Sequence, residues 1–327
     1  MMNILVTGGA GYIGSHVVRA LKEASYGFVV FDNFSHGHRE AVQGFNVVEG
    51  DTGNRSKVIE ACRENKIAAV MHFAAHSQVG ESVEKPALYY RNNVIGGLTL
   101  LEALLETGVK NFVFSSSAAV YGEPEHMPID EEQALKPTNP YGETKVVLEK
   151  ALDYYSRAYG LRSVSLRYFN AAGAAEDASI GEDHDPETHL VPLLLQTALG
   201  QRAKLVVFGD DYPTVDGTAV RDYIHVDDLA QAHLLALAQL LNEEGPAKAT
   251  AYNLGNGQGY SVLQVIRIVE KVTGLNVPYE IGPRRVGDPA VLVASAVKAE
   301  QELGWRPRFA GLEQIIESAW RWHRSRS

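Results

Sequence analysis

The sequence predicts an α/β fold in which one parallel sheet is covered by helices on both faces, and three observations predict it. Short runs rich in β-branched and aromatic residues alternate with stretches whose apolar residues recur at helical spacing. The first run leads directly into glycines at positions 8, 11 and 14, which open the first helical stretch. Asp32 stands at the end of the second run. With 327 residues, 45% of them hydrophobic, the chain is long enough to bury a core of that size.

The elements follow in order. Residues 4–7 read as the first strand, and Ile13, Val17, Ala20, Leu21 and Ala24 place an apolar stripe on the helix after it. Further strands are expected at 28–31, 46–48, 69–73, 112–115 and 163–166, with helices over 57–65, 87–105 and 141–159. Helices between successive strands make those strands parallel neighbours, giving a Rossmann-like, doubly wound sheet. After Asn170 the rhythm loosens into Ala171-Ala172-Gly173-Ala174-Ala175 and then Gly181-Glu182-Asp183-His184-Asp185-Pro186, which read as loop over a site. Helical patterns return at 227–241, 262–273 and 312–323, with Ser261 and Ser295 where amino-terminal caps are expected. The expected division is a dinucleotide-binding domain over 1–170 and a smaller α/β substrate-binding lobe over 171–327, from which residues 221–241 or so return to the first domain.

A formal net charge of -10 argues against a broad surface for nucleic acid and favours small-molecule partners. Cys62 is the single cysteine, so no intrachain disulfide is possible; it reads as a packing residue in a reducing compartment. The apolar run at the amino end is too short for a signal peptide core or a membrane span, and a cytoplasmic protein is expected.

The glycines define a nucleotide site. Gly8 allows a tight turn, Gly11 lets backbone approach a pyrophosphate, and Gly14 permits close helix packing, while the helix's amino end attracts the anion. Asp32 is placed to accept hydrogen bonds from an adenosine ribose, and its charge repels a 2'-phosphate, so NAD is expected over NADP. The bland alternative is that Asp32 starts a turn, and Arg39 nearby keeps a 2'-phosphate in view. Asp51-Thr52 and Phe73-Ala74-Ala75 end the third and fourth strands, where ligands gather in such sheets. His72 and His76 have the spacing of two zinc ligands on a helix, but this segment reads as strand running into loop and no glutamate follows His72, so no metal site is expected.

Tyr141 and Lys145 lie four residues apart and share one helix face. A phenol beside an ammonium is a way to hold a tyrosinate near neutral pH as a base for a sugar hydroxyl. Moving a tyrosine from about 10 to about 7 takes about 4 kcal/mol, which calls for a second positive charge such as an oxidised nicotinamide. Taken alone, the pair is better explained by helix packing plus a solvated lysine, and it is the context that reverses that reading.

Further motifs narrow the choice. Thr7-Gly8-Gly9-Ala10-Gly11-Tyr12-Ile13-Gly14-Ser15, Asp32-Asn33, His72-Phe73-Ala74-Ala75, Val79-Gly80-Glu81-Ser82, Asn92-Asn93-Val94, Ser115-Ser116-Ser117-Ala118-Ala119-Val120-Tyr121-Gly122 and Arg167-Tyr168-Phe169-Asn170 occur together. The segment 209–218, running into Val220-Arg221-Asp222-Tyr223-Ile224-His225-Val226, is more discriminating still. Over nearly its whole length the chain resembles the extended short-chain dehydrogenase/reductase family, and within it the UDP-hexose 4-epimerases.

That resemblance implies an isomerase that interconverts UDP-glucose and UDP-galactose through a transient 4-keto intermediate, with NAD as cofactor. Tyr141 would be the base, Lys145 would tune it and hold the nicotinamide ribose, and Ser117, or its neighbour Ser116, would bond the reacting oxygen. Implied cofactor contacts are Gly8, Gly11, Tyr12, Ile13, Gly14, Asp32, Asn33, Ser35, Asp51, Thr52, Phe73, Ala74, Ala75, Asn92 and Phe169, besides Tyr141 and Lys145. Asn170, His189, Leu190, Leu205, Val206, Phe208, Arg221, Arg285, Asp288 and Leu292 would hold the UDP-sugar with Ser117 and Tyr141. His189 departs from the family's usual asparagine, and Arg221 and Arg285 could equally form surface ion pairs. Leu292 stands where relatives vary in size, which opens the pocket to N-acetylated sugars. UDP-glucuronate or UDP-pentose epimerisation is the near alternative, and a non-catalytic NAD-sensing protein the distant one. Ala118-Ala119 stand where dehydratases of this scaffold carry Asp-Glu, and methyl groups cannot shuttle protons. A homodimer is implied, packed through helices near 87–105 and 141–159.

Overall fold

β1 (Asn3–Thr7) is buried along nearly its whole length, as a strand covered on both faces must be. Ile4 and Val6 point into one hydrophobic cluster and Leu5 into another, so a single strand supplies two cores. The computed structural model describes residues 2–242, 247–285 and 287–326. Its further strands are β2 (Gly27–Asp32), β3 (Val47–Glu49), β4 (Ile67–His72), β5 (Asn111–Ser115), β6 (Arg162–Tyr168), β7 (Asn170–Ala172), β8 (Leu205–Phe208), β9 (Val220–His225), β10 (Ala249–Leu254), β11 (Gly259–Ser261), β12 (Tyr279–Gly282) and β13 (Val291–Leu292).

Seven of these form one sheet in the order β10-β6-β5-β4-β1-β2-β3, parallel throughout. The order reverses between β1 and β4, and a ligand crevice is expected beyond the strand ends at that point. The doubly wound sheet expected from sequence is present; its last strand, β10, was not anticipated.

The helices are α1 (Tyr12–Glu23), α2 (Arg55–Glu64), α3 (Val79–Glu84), α4 (Pro86–Tyr89), α5 (Gly96–Thr107), α6 (Pro140–Tyr159), α7 (Leu190–Ala198), α8 (Val226–Asn242), α9 (Val262–Thr273) and α10 (Leu312–Ser325). α1 and α8 pack together over one face of the sheet, while α2, α5 and α6 supply side chains to the core on the other. Each fully buried Val, Leu or Ile on these faces is worth about 1.5–3 kcal/mol in transfer from water. α4 runs through a π-helical turn, Tyr90–Ile95, into α5. Such turns bulge a helix at places where side chains must be re-aimed, and this one carries Asn92 and Asn93.

α6 is closed at both ends by its own sequence. The Asn139 side chain accepts from the Gly142 amide at 2.9 Å, Pro140 takes the first helical position, and Gly160 turns left-handed at the other end. Ser261 caps α9 in a reciprocal box with Gln264, as expected. Ser295 does not stand at a helix start: its amide bonds the Ile129 carbonyl, and helical turns begin only at residue 297.

The second layer is built on β9, which pairs with β7, β11 and β13. A short β8–β12 pair stands beside it. α7, α9 and α10 pack with these strands around a third hydrophobic cluster. The chain then crosses back: α8 and β10 belong to the large sheet's layers.

Candidate active site

The carboxyl end of β1, where the chain turns into α1, shows how a nucleotide would be held. Gly8 is left-handed, and a Cβ there would lie 2.5 Å from the Ala74 nitrogen, so β1 and β4 approach at a distance only glycine allows. A Cβ on Gly14 would lie 2.2 Å from the Gly8 carbonyl oxygen, which locks the start of α1 onto the turn. Gly11 is different: its Cβ would meet only the Gly8 oxygen, at 3.4 Å, leaving the backbone at the helix amino end open to an anion.

Asp32 lies at the end of β2 with its carboxylate fixed by two amides, Ala10 at 2.9 Å and Phe34 at 2.8 Å. Each oxygen keeps a lone pair for a ribose hydroxyl. Asn33 donates to Asp51, whose other oxygen accepts from the Gly53 amide, so the ends of β2 and β3 are tied together. The Ser35 amide in turn donates to the Asn33 side chain. Arg39 lies 4.0 Å over the Phe34 ring and pairs with Glu49 at 2.7 Å, so this guanidinium is already matched by a carboxylate. The residues present fit an NAD molecule.

His72 and His76 do not converge. Buried His72 exchanges a hydrogen bond with Thr7 at 2.7 Å, and burial beside the Lys145 ammonium lowers its pKa to about 3. The His76 ring instead packs edge-on against His36 and tilted against Tyr89. Asn93, quoted in a sequence motif but given no role there, is buried and clamps the loop after β4 by bonding both the amide and the carbonyl of His76, reaching Thr144 of α6 as well. Asn92 leans on it through its own amide.

Ser117, Tyr141 and Lys145 come together. Ser117 follows β5, and its hydroxyl accepts from the Ala119 amide at 3.2 Å and lies near enough to the Tyr141 phenol to favour its ionised form. Ser116, the rival in sequence, points the other way: it is fully buried and donates to Glu149 at 2.5 Å. Lys145 donates to the Ser115 carbonyl at 2.7 Å, with its ammonium 5.6 Å from the centre of the Tyr141 ring.

Burial raises the Tyr141 phenol above its ordinary range, and the Ser117 hydroxyl offsets part of that. Burial also lowers Lys145 to about 7, against the opposing pull of Glu149. The protein by itself therefore favours a neutral phenol, and a second positive charge, as the size of the shift required already suggested, must complete the base. Beneath these residues the Arg167 guanidinium grips Glu149 through contacts of 2.5 to 3.1 Å and donates to Tyr121 at 2.9 Å.

Across the crevice the lobe presents its own groups. Phe169 packs in a buried cluster with Ala118, Val120 and Tyr121, with Leu292 against its edge. Asn170 donates to the Asp222 carbonyl at 2.9 Å. Along β8, Leu205 and Val207 are buried while Val206 and Phe208 face outward, so the Leu205 side chain serves the lobe's core. Arg285 lies over the Phe208 ring at 4.1 Å, and Arg221 pairs with Asp288.

His189 stands at the amino end of α7, one residue before Leu190, and its Nδ1 is 2.7 Å from Glu182 and 3.2 Å from Glu187. Burial opposes its charge, but those carboxylates hold it at about 10. It is a committed partner of two glutamates, a pairing the sequence reading did not foresee.

The family model described as NAD dependent epimerase/dehydratase family matches residues 4–255. A UDP-glucose 4-epimerase of Halalkalibacterium halodurans is 52% identical, over 99% of this chain and 96% of its own. Among solved structures, the UDP-glucose 4-epimerase of Brucella ovis in complex with NAD superposes with a TM-score of 0.94 at 47% identity, covering 98% of each chain. The UDP-glucose-4-epimerase of Stenotrophomonas maltophila, with bound NAD and formylated UDP-arabinopyranose, superposes with a TM-score of 0.95 at 42% identity, covering 100% of this chain and 99% of that one.

Proposed function

The chain belongs to the NAD dependent epimerase/dehydratase family, and from that premise we propose that it is an NAD-dependent UDP-glucose 4-epimerase, interconverting UDP-glucose and UDP-galactose through a 4-keto intermediate. The observation that carries this reading is the junction of Ser117, Tyr141 and Lys145 at the strand ends, beside an open glycine turn and under a lobe with outward-facing Phe208 and Arg285.

NAD held by these residues would supply a reversible hydride acceptor for C4 of the sugar and, in its oxidised nicotinamide, the positive charge that Tyr141 needs. Tyr141 removes the 4-hydroxyl proton and later gives it back. Ser117 is aimed at the same oxygen and holds the phenol in place. Lys145, anchored on the Ser115 carbonyl, supplies charge and a donor to the nicotinamide ribose. Asp32 holds the adenosine ribose, and Gly11 with the amino end of α1 receives the pyrophosphate. Arg221, Arg285, Asp288, Asn170, His189 and Phe208 grip the nucleotide of the substrate. Binding energy on that remote part lets the sugar stay loose enough to turn its other face.

Ala118-Ala119 beside Ser117 offer no proton shuttle for elimination, which argues against a dehydratase. An intact and assembled Tyr141, Lys145 and Ser117 argue against a mere NAD sensor. Leu292 is a modest side chain at the edge of the Phe169 cluster, and we propose that UDP-N-acetylhexoses are accepted too; failure to interconvert UDP-N-acetylglucosamine and its galacto epimer would remove that extension. We also propose a cytoplasmic homodimer, joined through exposed Leu88, Tyr90 and Ile95 with Tyr154 and Tyr159 of α6, and sedimentation of the purified chain tests it. The test of the catalytic assignment is Tyr141→Phe, which is expected to keep NAD bound while losing at least about a hundredfold in turnover. Unchanged turnover would remove Tyr141 from its role.

A further inference from the structure

Between β7 and α7 the chain folds over the glycine turn, and it brings four side chains to one point. The ligating atoms of Glu182, His184, Glu187 and His189 lie within 4.8 Å of one another. The Glu182 oxygen is 2.7 Å from His189 Nδ1 and 3.2 Å from His184 Nδ1. Glu187 approaches the same two nitrogens at 3.2 and 3.8 Å. In a tetrahedral zinc site with bonds of about 2.0–2.1 Å, neighbouring donors stand about 3.3–3.4 Å apart. The histidine–glutamate spacings bracket that edge, with Glu187 facing His189 through Oε1 and His184 through Oε2, and with all four groups' ligating atoms within 4.8 Å of one another, side-chain rotations would bring the donors onto one ion.

Without a metal the four groups pair with one another as ions, and two further features bear on metal binding. His184 Nδ1 is buried and points into the cluster, yet it makes no hydrogen bond of acceptable geometry to either carboxylate. The segment is also held in place. Glu187 Oε1 accepts from the amides of Thr188 and His189 at 2.7 and 2.8 Å, and the main-chain carbonyl of Glu182 accepts from Trp322 Nε1 at 3.2 Å. Second-shell restraint of this kind orients ligands before an ion arrives.

We propose that Glu182, His184, Glu187 and His189 bind a transition-metal dication of the zinc class. Two imidazoles disfavour magnesium and calcium, which want oxygen donors, and the absence of thiolate disfavours copper(I). Two carboxylates neutralise the dication, which suits a site whose Glu182 is fully enclosed. The role is a structural clamp: the ion ties residues 182–187 to the first turn of α7, next to Tyr12 of the glycine turn, whose ring meets the His184 ring edge-on at 6.2 Å. Binding through Nδ1 leaves His189 Nε2 as a fixed donor.

The test uses tag-free full-length protein, stripped with chelator and titrated with cobalt(II), followed by zinc displacement and metal analysis after dialysis. The expected result is about one equivalent of metal per chain, intense visible bands of four-coordinate cobalt, and a melting temperature raised by zinc. His184→Ala and Glu182→Gln are expected to retain less than about a tenth of that metal. Wild-type protein without those cobalt bands and without retained zinc would overturn the proposal, whether or not the variants fold. Equal zinc retention by His184→Ala would overturn it as well, marking the metal as adventitious.

Discussion

Glu149→Gln is the most informative single substitution, because Glu149 joins the stability of the core to the chemistry of Lys145. Its carboxylate is nine-tenths buried and receives Arg167 Nε at 3.0 and 3.1 Å, Arg167 Nη2 at 2.5 Å and the Ser116 hydroxyl at 2.5 Å. Glutamine keeps one acceptor and turns an amide toward the guanidinium, leaving a buried positive charge with Tyr121 as its other partner. Breaking one side of a buried pair costs about 3–5 kcal/mol, and the retained acceptor puts this case near 3. With a urea m-value of about 3 kcal/mol per molar for a chain of this size, the midpoint falls by about 1 M. The assay is urea unfolding of cofactor-free wild type, Glu149→Gln and Glu149→Leu with Arg167→Leu. The double variant is expected to lose less than the single one, since no charge is stranded. A single-variant loss under about 1 kcal/mol, or a double variant worse than the single, would refute the reasoning.

Asp222 sits enclosed by the amides of Asn256, Gly257 and Ala294 at 2.9 to 3.1 Å, so Asp222→Asn, which sets an amide against amides, should destabilise by about 2–3 kcal/mol in urea unfolding. Gly14→Ala would push a methyl to within 2.2 Å of the Gly8 oxygen; bound NAD per purified chain should fall by more than about tenfold, and full occupancy would contradict the turn's role. Lys145 has a pKa of about 7 in the folded protein, below its ordinary value. Between pH 7 and 10.5 or so the unfolded chain therefore holds one more proton, and stability of cofactor-free protein should rise with pH. This contribution is fully present above the unfolded pKa and lost as pH falls through about 7. Relative to Lys145→Met, wild type should gain about 2 kcal/mol from pH 7 to 9 in unfolding titrations.

The sheet was legible because its signals are local. Alternating strand and helix patterns, glycines at 8, 11 and 14, and Asp32 two strands' reach away all lie within segments that fold as read. Tyr141 and Lys145 were legible because a fixed helical spacing puts them on one face. What was not legible depends on distant partners. Serines 115 to 117 look alike in sequence, and only the fold shows Ser116 turned inward to Glu149 and Ser117 outward to Tyr141. The depression of Lys145 comes from burial, a property of the packed layers rather than of its neighbours in sequence. β10 follows a long helix and joins the sheet edge beside β6, a crossing that no local pattern marks. Residues 181–186 read as loop, yet Glu182 and His184 meet Glu187 and His189 only once the chain has turned back onto α7.

The most direct measurement is incubation of the purified protein with UDP-galactose, without added NAD, and separation of the UDP-sugars over time. Conversion to UDP-glucose, reaching the same ratio from either side, is the predicted result and would show a 4-epimerase that carries its own cofactor. No conversion, even with NAD supplied, would contradict the assignment of substrate and reaction and leave the fold and nucleotide turn standing.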